Sequence, residues 1–119
     1  MANPKTYKEK WAEAKLEAMA ILIDTARRQS TITYSALCDR ITSLILDPHT
    51  EIKHLLGELS TDSHKQGCGL LSSLVVHKED MAVGEGFFEL AKSLGYEVRD
   101  KDEFWLAQMR KVWLHWAMH

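Results

Sequence analysis

The feature of the sequence that most constrains the fold is the apolar run LLSSLVV, residues 70–76. Gly69 precedes the run and the charged segment HKED follows it. A bounded run of this length is typical of a buried β-strand rather than of a helix. A single strand is not stable alone. Segments 30–33 and 81–84 are both available as partners, and pairing with the second would form a hairpin with HKED at its tip.

Helical periodicity and helix-start signals surround this run. Thr6, Thr33 and Asp100 occupy N-cap positions, and Thr6 is the first residue of a T-x-x-E capping box. Asp47-Pro48 is also a start signal, with an acidic cap followed by proline at the first helical position. The predicted helices cover about residues 7–28, 34–46, 48–66, 87–94 and 103–119.

The apolar residues of the first two predicted helices indicate which faces pack inward. In the first helix, the predicted inward stripe is Trp11, Leu16, Met19, Ile23 and Ala26, widened by Ile21 and Leu22. In the second helix, the predicted inward residues are Tyr34, Leu37, Cys38, Ile41 and Ile45.

Composition limits the class of protein. The chain has 119 residues, 45% of them hydrophobic and 27% charged, which fits one globular domain over residues 1–119. Its net charge of −2 is not that of a strongly basic protein, so nucleic-acid binding would need a local basic face. The polar N-terminus lacks an apolar leader core, so we expect a cytoplasmic protein with Cys38 and Cys68 reduced.

The order of the predicted elements indicates the fold class. A short strand, two helices and a strand with a following hairpin are the order of a winged helix. We therefore predict a mainly helical α+β domain with a winged-helix-like centre and additional helices at both ends.

The segment ITYSALCDRI, followed by a helix near 48–60, an apolar strand and a glycine-rich turn, resembles the winged-helix domain of the alkylguanine-DNA alkyltransferases and alkyltransferase-like proteins. Thr33, Tyr34 and Leu37 match positions of that family's Thr-Tyr-Gly-x-(Ile/Leu)-Ala segment. The family's Pro-Cys-His-Arg motif has no counterpart, because Leu-Val-Val-His occupies residues 74–77. The resemblance, which covers residues 31–86, implies DNA binding by analogy of fold but not alkyl transfer.

The chain is also similar to small uncharacterised prokaryotic proteins. They have a TYxxL helix, an LSxLVV strand, a Gly-x-Gly-Phe-Phe turn and a tryptophan-rich C-terminal helix. The matching segments here are 33–34, 71–76, 84–88 and 104–116. This likeness implies a prokaryotic protein and supplies no activity, and we expect a protein of the bacterial or phage cytoplasm.

The leading functional hypothesis is a non-enzymatic module that binds nucleic acid through helix 48–66 and the wing at residues 77–86. Phosphate contacts need Lys or Arg, yet this helix carries two lysines against three acidic residues. The predicted nucleic-acid contacts are Tyr34, Arg40, Lys53, His54, Lys65, His77 and Lys78. The predicted contact loop adds Glu79, Asp80, Gly84, Glu85 and Gly86.

The glycine turn at residues 84–86 has two interpretations. Glycines before a helix let backbone N–H groups point at an anion. The carboxylate of Glu85 would repel an anion, so turn geometry is the favoured interpretation.

Two further hypotheses come from other classes of protein. A protein-interaction regulator or inhibitor, acting with a partner or as a homodimer, would use the tryptophan-rich C-terminal helix. That surface would consist of Trp105, Met109, Trp113 and Trp116, unless these side chains cover the core. A small enzyme would use the carboxylates and histidine of the loop at 77–89, which could hold a divalent metal.

The cysteines and histidines predict no cofactor and no metal site. His49, His54, His64 and Cys68 match no standard zinc spacing. A nucleophilic Cys68 would need a histidine base, and His64 is the candidate nearby in sequence. His115 and His119, one helical turn apart, are interpreted as complements to the helix dipole.

Overall fold

The computed structural model describes residues 3–119, which form five α-helices, two short β-strands and one 3₁₀ turn. In chain order the elements are α1 Tyr7–Arg27, β1 Ile32–Thr33, α2 Tyr34–Arg40, α3 Glu51–Lys65, the 3₁₀ turn Leu71–Leu74, β2 Val75–Val76, α4 Glu85–Ser93 and α5 Lys101–Met118. This is the mainly helical α+β class that the sequence predicts. None of these helices is both long and apolar enough to cross a bilayer.

The apolar run 70–76 is buried over its whole length, but only Val75 and Val76 form a strand. The preceding four residues form the 3₁₀ turn. Ser60 of α3 explains this difference. Its hydroxyl accepts the backbone N–H of Ser72 at 2.8 Å and donates to the Ser72 hydroxyl at 2.7 Å. A side chain thus satisfies a buried N–H that a strand would satisfy through a neighbouring strand.

Strand β2 pairs in parallel with β1, with Ile32 beside Val75 and Thr33 beside Val76. The predicted alternative, a hairpin between 70–76 and 81–84, is wrong. The chain turns directly after β2, because the N–H of His77 donates to the carbonyl of Ala82 at 2.9 Å. Residues 77–82 therefore form a tight turn instead of the tip of an extended wing.

The predicted N-caps at Thr6, Thr33 and Asp100 are confirmed. Each side-chain oxygen accepts the backbone N–H three residues later, at 3.2, 3.2 and 2.9 Å respectively. The predicted start at Asp47-Pro48 is one turn too early, because α3 begins at Glu51. Asp47 instead accepts the N–H of His49 at 2.7 Å, which forms a separate turn before the helix.

Helix α2 ends at Arg40, six residues before the predicted end at 46. A carboxylate on α1 accounts for this early end. Glu17 accepts the backbone N–H groups of Thr42 at 3.2 Å and Ser43 at 3.0 Å, and it also binds both hydroxyls. We call this arrangement the Glu17 clamp. It supplies partners for backbone donors that a longer helix would have satisfied internally.

Two residues of the predicted inward faces lie on the surface. Leu16 is 70% exposed, and Ile45, in the irregular segment after α2, is 95% exposed. Leu46 is buried in place of Ile45. The buried face of α1 consists of Ala14, Ala18, Ile21, Leu22, Thr25 and Ala26. The small residues on this face let α1 approach the 3₁₀ turn and α5 closely. The predicted face is based on the large apolar side chains and therefore misses the alanines.

Two apolar clusters hold the elements together. The larger one joins α1, α3, the 3₁₀ turn and α5. The smaller one packs Phe87, Phe88 and Ala91 of α4 against Leu70. Trp105 of α5 packs against both clusters, and its indole N–H donates to the carbonyl of Ser73 at 2.8 Å. Helix α4 is therefore fixed relative to the central segment.

We predict that Glu17→Gln lowers stability in a pH-dependent way. Hydrogen bonds from Ser43 and Thr42 lower the pKa of Glu17 from 4.5 to about 2. The ionised carboxylate therefore stabilises the fold fully above about pH 4.5, and this contribution is lost as the pH falls towards 2. At neutral pH we expect a loss of about 1 kcal/mol in the free energy of unfolding, allowing for solvent screening.

Urea denaturation at neutral pH and near pH 2 measures this effect. The difference between the wild type and Glu17→Gln should shrink at the lower pH. Glu89→Gln, at an exposed position of α4, is the control and should match the wild type. An equal loss at both pH values would contradict a role for the ionised clamp.

Candidate functional site

A groove of about 140 Å³ lies between α3 and the start of α4. Four residues of the predicted contact set line it: Tyr34, Lys53, Gly84 and Gly86. The other lining residues are Leu56, Gly57, Ser72, Phe87 and Leu90. The fold thus gathers predicted contact residues from α2, α3 and α4, although the sequence separates them by up to 52 positions.

The parallel sheet positions one wall of this groove. Thr33 and Val76 are the last paired residues of β1 and β2, so Tyr34 and His77 leave the sheet at the same edge. Their rings are in contact, with centroids 4.8 Å apart and an interplanar angle of 37°. Burial raises the pKa of Tyr34, and a hydrogen bond from the backbone of Gly84 opposes that shift.

Gly84 allows the backbone to approach His77 closely. A Cβ atom at Gly84 would lie 2.7 Å from Nε2 of His77, well inside van der Waals contact. The φ angle of Gly84 is −84°, so the reason for glycine is space and not a left-handed backbone. A Cβ at Gly86, by contrast, would meet no atom within 4 Å.

Helix α4 begins at this groove without a side-chain cap. Gly84 is the N-cap residue, so no side-chain cap forms, and the N–H of Phe87 donates to the carbonyl of Gly84 at 3.1 Å. Both carboxylate oxygens of Glu85 accept from Nζ of Lys101 at 2.8 Å, which offsets the charge that would repel an anion. Lys53 is the single charged side chain among the described lining residues. The groove is therefore suited to an anionic group.

The other predicted basic contacts do not line this groove. Arg40 is exposed at the end of α2. His54 is exposed on α3, where it lines one surface cavity beside Tyr7 and Trp11 and shares another with Lys53, Glu58 and Asp62. Lys65, in the last turn of α3, borders a further cavity. The predicted basic edge is therefore divided over several surfaces.

The remaining loop residues lie on the exposed turn after His77. Lys78, Glu79 and Asp80 are all exposed, and Asp80 accepts the N–H of Ala82 at 3.1 Å, which stabilises the turn. Within residues 3–119, no three His, Cys, Asp or Glu side chains are close enough to hold a metal ion. The metal-binding cluster that the enzyme hypothesis requires at residues 77–89 is therefore not found among residues 3–119.

The tryptophan-rich helix packs against the core. Met109 is only 6% exposed, and Trp105, Trp113 and Trp116 are partly buried against the larger cluster. The indole N–H of Trp113 donates to the carbonyl of Ser30 at 3.1 Å. The large apolar side chains that α5 leaves exposed are Leu106, Leu114 and Met118.

The structure brings together one pair that the sequence does not suggest. Sγ of Cys68 lies 3.3 Å from Nε2 of His115 on α5. His64, the neighbour in sequence, is instead bound to the Tyr96 hydroxyl through Nδ1 at 2.7 Å. The only sequence signal for His115 is its place beside Val112 and Trp116, on the apolar side of its helix.

Comparison with protein-family models, with curated proteins and with solved structures found no match to this chain.

We predict that Gly84→Ala displaces the His77 ring from Tyr34, because the new methyl group would overlap Nε2. Gly86→Ala should leave the ring in place, because its methyl group meets open space. The NMR signals of the His77 imidazole and the Tyr34 ring measure the difference. Large shifts in Gly84→Ala and small ones in Gly86→Ala are expected. Equal shifts in the two variants would contradict the close approach described above.

Proposed function

We propose that the protein is a non-enzymatic nucleic-acid-binding module that holds a backbone phosphate in the groove between α3 and α4. The observation that carries this proposal is the convergence of Lys53 and the uncapped start of α4 in one groove. Lysine supplies the charge and the helix start supplies oriented N–H donors, the two elements that phosphate recognition uses.

The size of the groove favours a single anionic group over a whole organic cofactor. Sites for drug-sized ligands usually have volumes of about 300–1,000 Å³. The groove, at about 140 Å³, is well below that range. A phosphate that projects from an extended polymer fits such a site, since the rest of the ligand remains outside.

Side chains around the groove extend this contact. The Tyr34–His77 pair offers ring surface and polar atoms, and Lys78 lies on the adjoining exposed turn. The negative charge of α3 is also partly neutralised, because Lys15 of α1 binds Glu58 at 3.5 Å and Asp62 at 3.1 Å. The face of α3 next to the groove is therefore less negative than its sequence suggests.

The mode of binding differs from the insertion of a recognition helix. In a helix-turn-helix pair, a turn of three or four residues joins the helices. Here residues 41–50 separate α2 from α3. We therefore propose contact through the backbone of the nucleic acid, with a winged-helix-like order of elements but without base recognition by α3.

A second candidate is self-association or binding to a partner protein through the outer face of α5. Leu106, Leu114 and Met118 remain exposed there, whereas the tryptophans pack inward. Light scattering over a range of concentrations tests for a homodimer. Leu114→Glu should dissociate a dimer that uses this face.

We predict that Lys53→Gln weakens nucleic-acid binding roughly tenfold at an ionic strength of about 0.1 M, because one phosphate contact is lost. The slope of log K against log salt should fall by about one. Fluorescence anisotropy with labelled duplex DNA, single-stranded DNA and single-stranded RNA measures both quantities. Lys92→Gln removes the same charge from the last turn of α4, away from the groove, and should bind like the wild type.

Equal losses in the two lysine variants would indicate diffuse electrostatic attraction and contradict the groove. An absence of salt-sensitive binding to all three probes at low ionic strength would overturn the proposed function.

A further inference from the structure

Cys68 occupies a turn whose backbone is held in place at several points. Its neighbours Gly67 and Gly69 have φ angles of +74° and +86°, a conformation that favours glycine. The N–H of Cys68 donates to the carbonyl of Ser63 at 3.0 Å. Because Val112 also lies close to Gly69, this turn is packed directly against α5. The position of the thiol relative to His115 is therefore fixed by the fold.

Cys68 borders a cavity with a volume of about 520 Å³. Cys68 is only 4% exposed to solvent. The walls of the cavity include the apolar side chains of Met19, Leu59, Leu71 and Trp116. Lys15, Lys65 and Asp62 also border it, and Lys15 binds Asp62 at 3.1 Å. A cavity of this size and lining suits a ligand with an apolar chain.

We propose that Cys68 is a nucleophile that accepts an acyl group from a thioester or activated ester with an apolar acyl chain, and that His115 is its base. Nε2 of His115 takes the thiol proton as Sγ attacks the acyl carbonyl carbon. The bond from that carbon to the leaving group then breaks, and the leaving group takes the proton from His115. The products are an S-acyl cysteine and the free thiol or alcohol, with no oxidant or reductant consumed.

His115 has the surroundings that a base needs. Burial, together with the nearby His119, lowers the pKa of His115, so the imidazole is neutral and able to accept a proton at neutral pH. The His119 ring stacks on it at 4.3 Å, and Arg27 donates to the carbonyl of His119 at 3.1 Å. His115 also lies edge-on to the indole of Trp116, with centroids 4.7 Å apart.

Cys38 provides an internal comparison. It is partly buried on α2 and has no histidine partner among the described contacts. Burial and the nearby Asp39, Asp47 and Glu51 raise the pKa of its thiol to about 11. The same chain thus carries one thiol beside a base and a cavity, and a second thiol in acidic surroundings.

The experiment uses p-nitrophenyl octanoate and p-nitrophenyl acetate with the full chain. Release of p-nitrophenolate gives the rate, and peptide mass spectrometry locates the acyl group. We expect acylation at Cys68. The ratio of the octanoate rate to the acetate rate should be at least about tenfold higher for the protein than for the free thiol N-acetylcysteine. Cys68→Ser should lose this reaction, whereas Cys38→Ser should retain it.

His115→Gln tests the base. The variant should react roughly a hundredfold more slowly near neutral pH, because no imidazole then accepts the thiol proton. The wild-type rate should be level above neutrality, because the lowered pKa of His115 leaves its imidazole neutral there. Three results would each overturn the proposal. They are acylation spread over lysines or Cys38, no preference for the octanoyl ester, and an unchanged rate in His115→Gln. Mapping on the wild type decides the site even if Cys68→Ser fails to fold.

Discussion

Most elements of the structure pack on the buried residues 70–76. Helices α1, α3 and α5 pack around the 3₁₀ turn, β1 pairs with β2, and α4 covers Leu70. A fully buried Leu or Val side chain contributes about 1.5–3 kcal/mol, so this segment concentrates much of the apolar driving force. Side chains from other elements bind several of its backbone groups, whereas the buried hydroxyl of Ser73 has no hydrogen-bond partner among the described residues. The N–H of Leu70, for example, donates to the buried Gln108 at 3.0 Å.

The two candidate sites lie at the two ends of this buried segment. At its start, Cys68 faces His115 on α5. At its end, His77 faces Tyr34 on α2. In each pair, one residue lies next to the buried segment 70–76 and the other lies on a neighbouring helix. A rigid support holds functional side chains in fixed geometry without further contacts, which explains how a small chain can position both pairs.

Features with a local cause could be predicted from the sequence. The caps at Thr6, Thr33 and Asp100 depend on an N–H three residues away, and all three are confirmed. Features with a cause that is distant in the sequence could not be predicted in this way. The early end of α2 depends on Glu17, the 3₁₀ turn depends on Ser60, and α5 alone brings His115 to Cys68. The groove lies between these cases, because the sequence supplied Tyr34, Lys53, Gly84 and Gly86 but no reason to place them together.

The parallel pairing of β1 with β2 has a consequence for the synthesis of the chain. The two strands are separated by about forty residues, so closing this contact costs chain entropy before any core has formed. Gln108, which satisfies the buried N–H of Leu70, lies on α5, which follows both strands in the sequence. A nascent chain that stops short of α5 therefore exposes an apolar segment with an unpaired donor. Folding therefore depends on the synthesis of α5, and contacts between distant parts of the chain limit its rate.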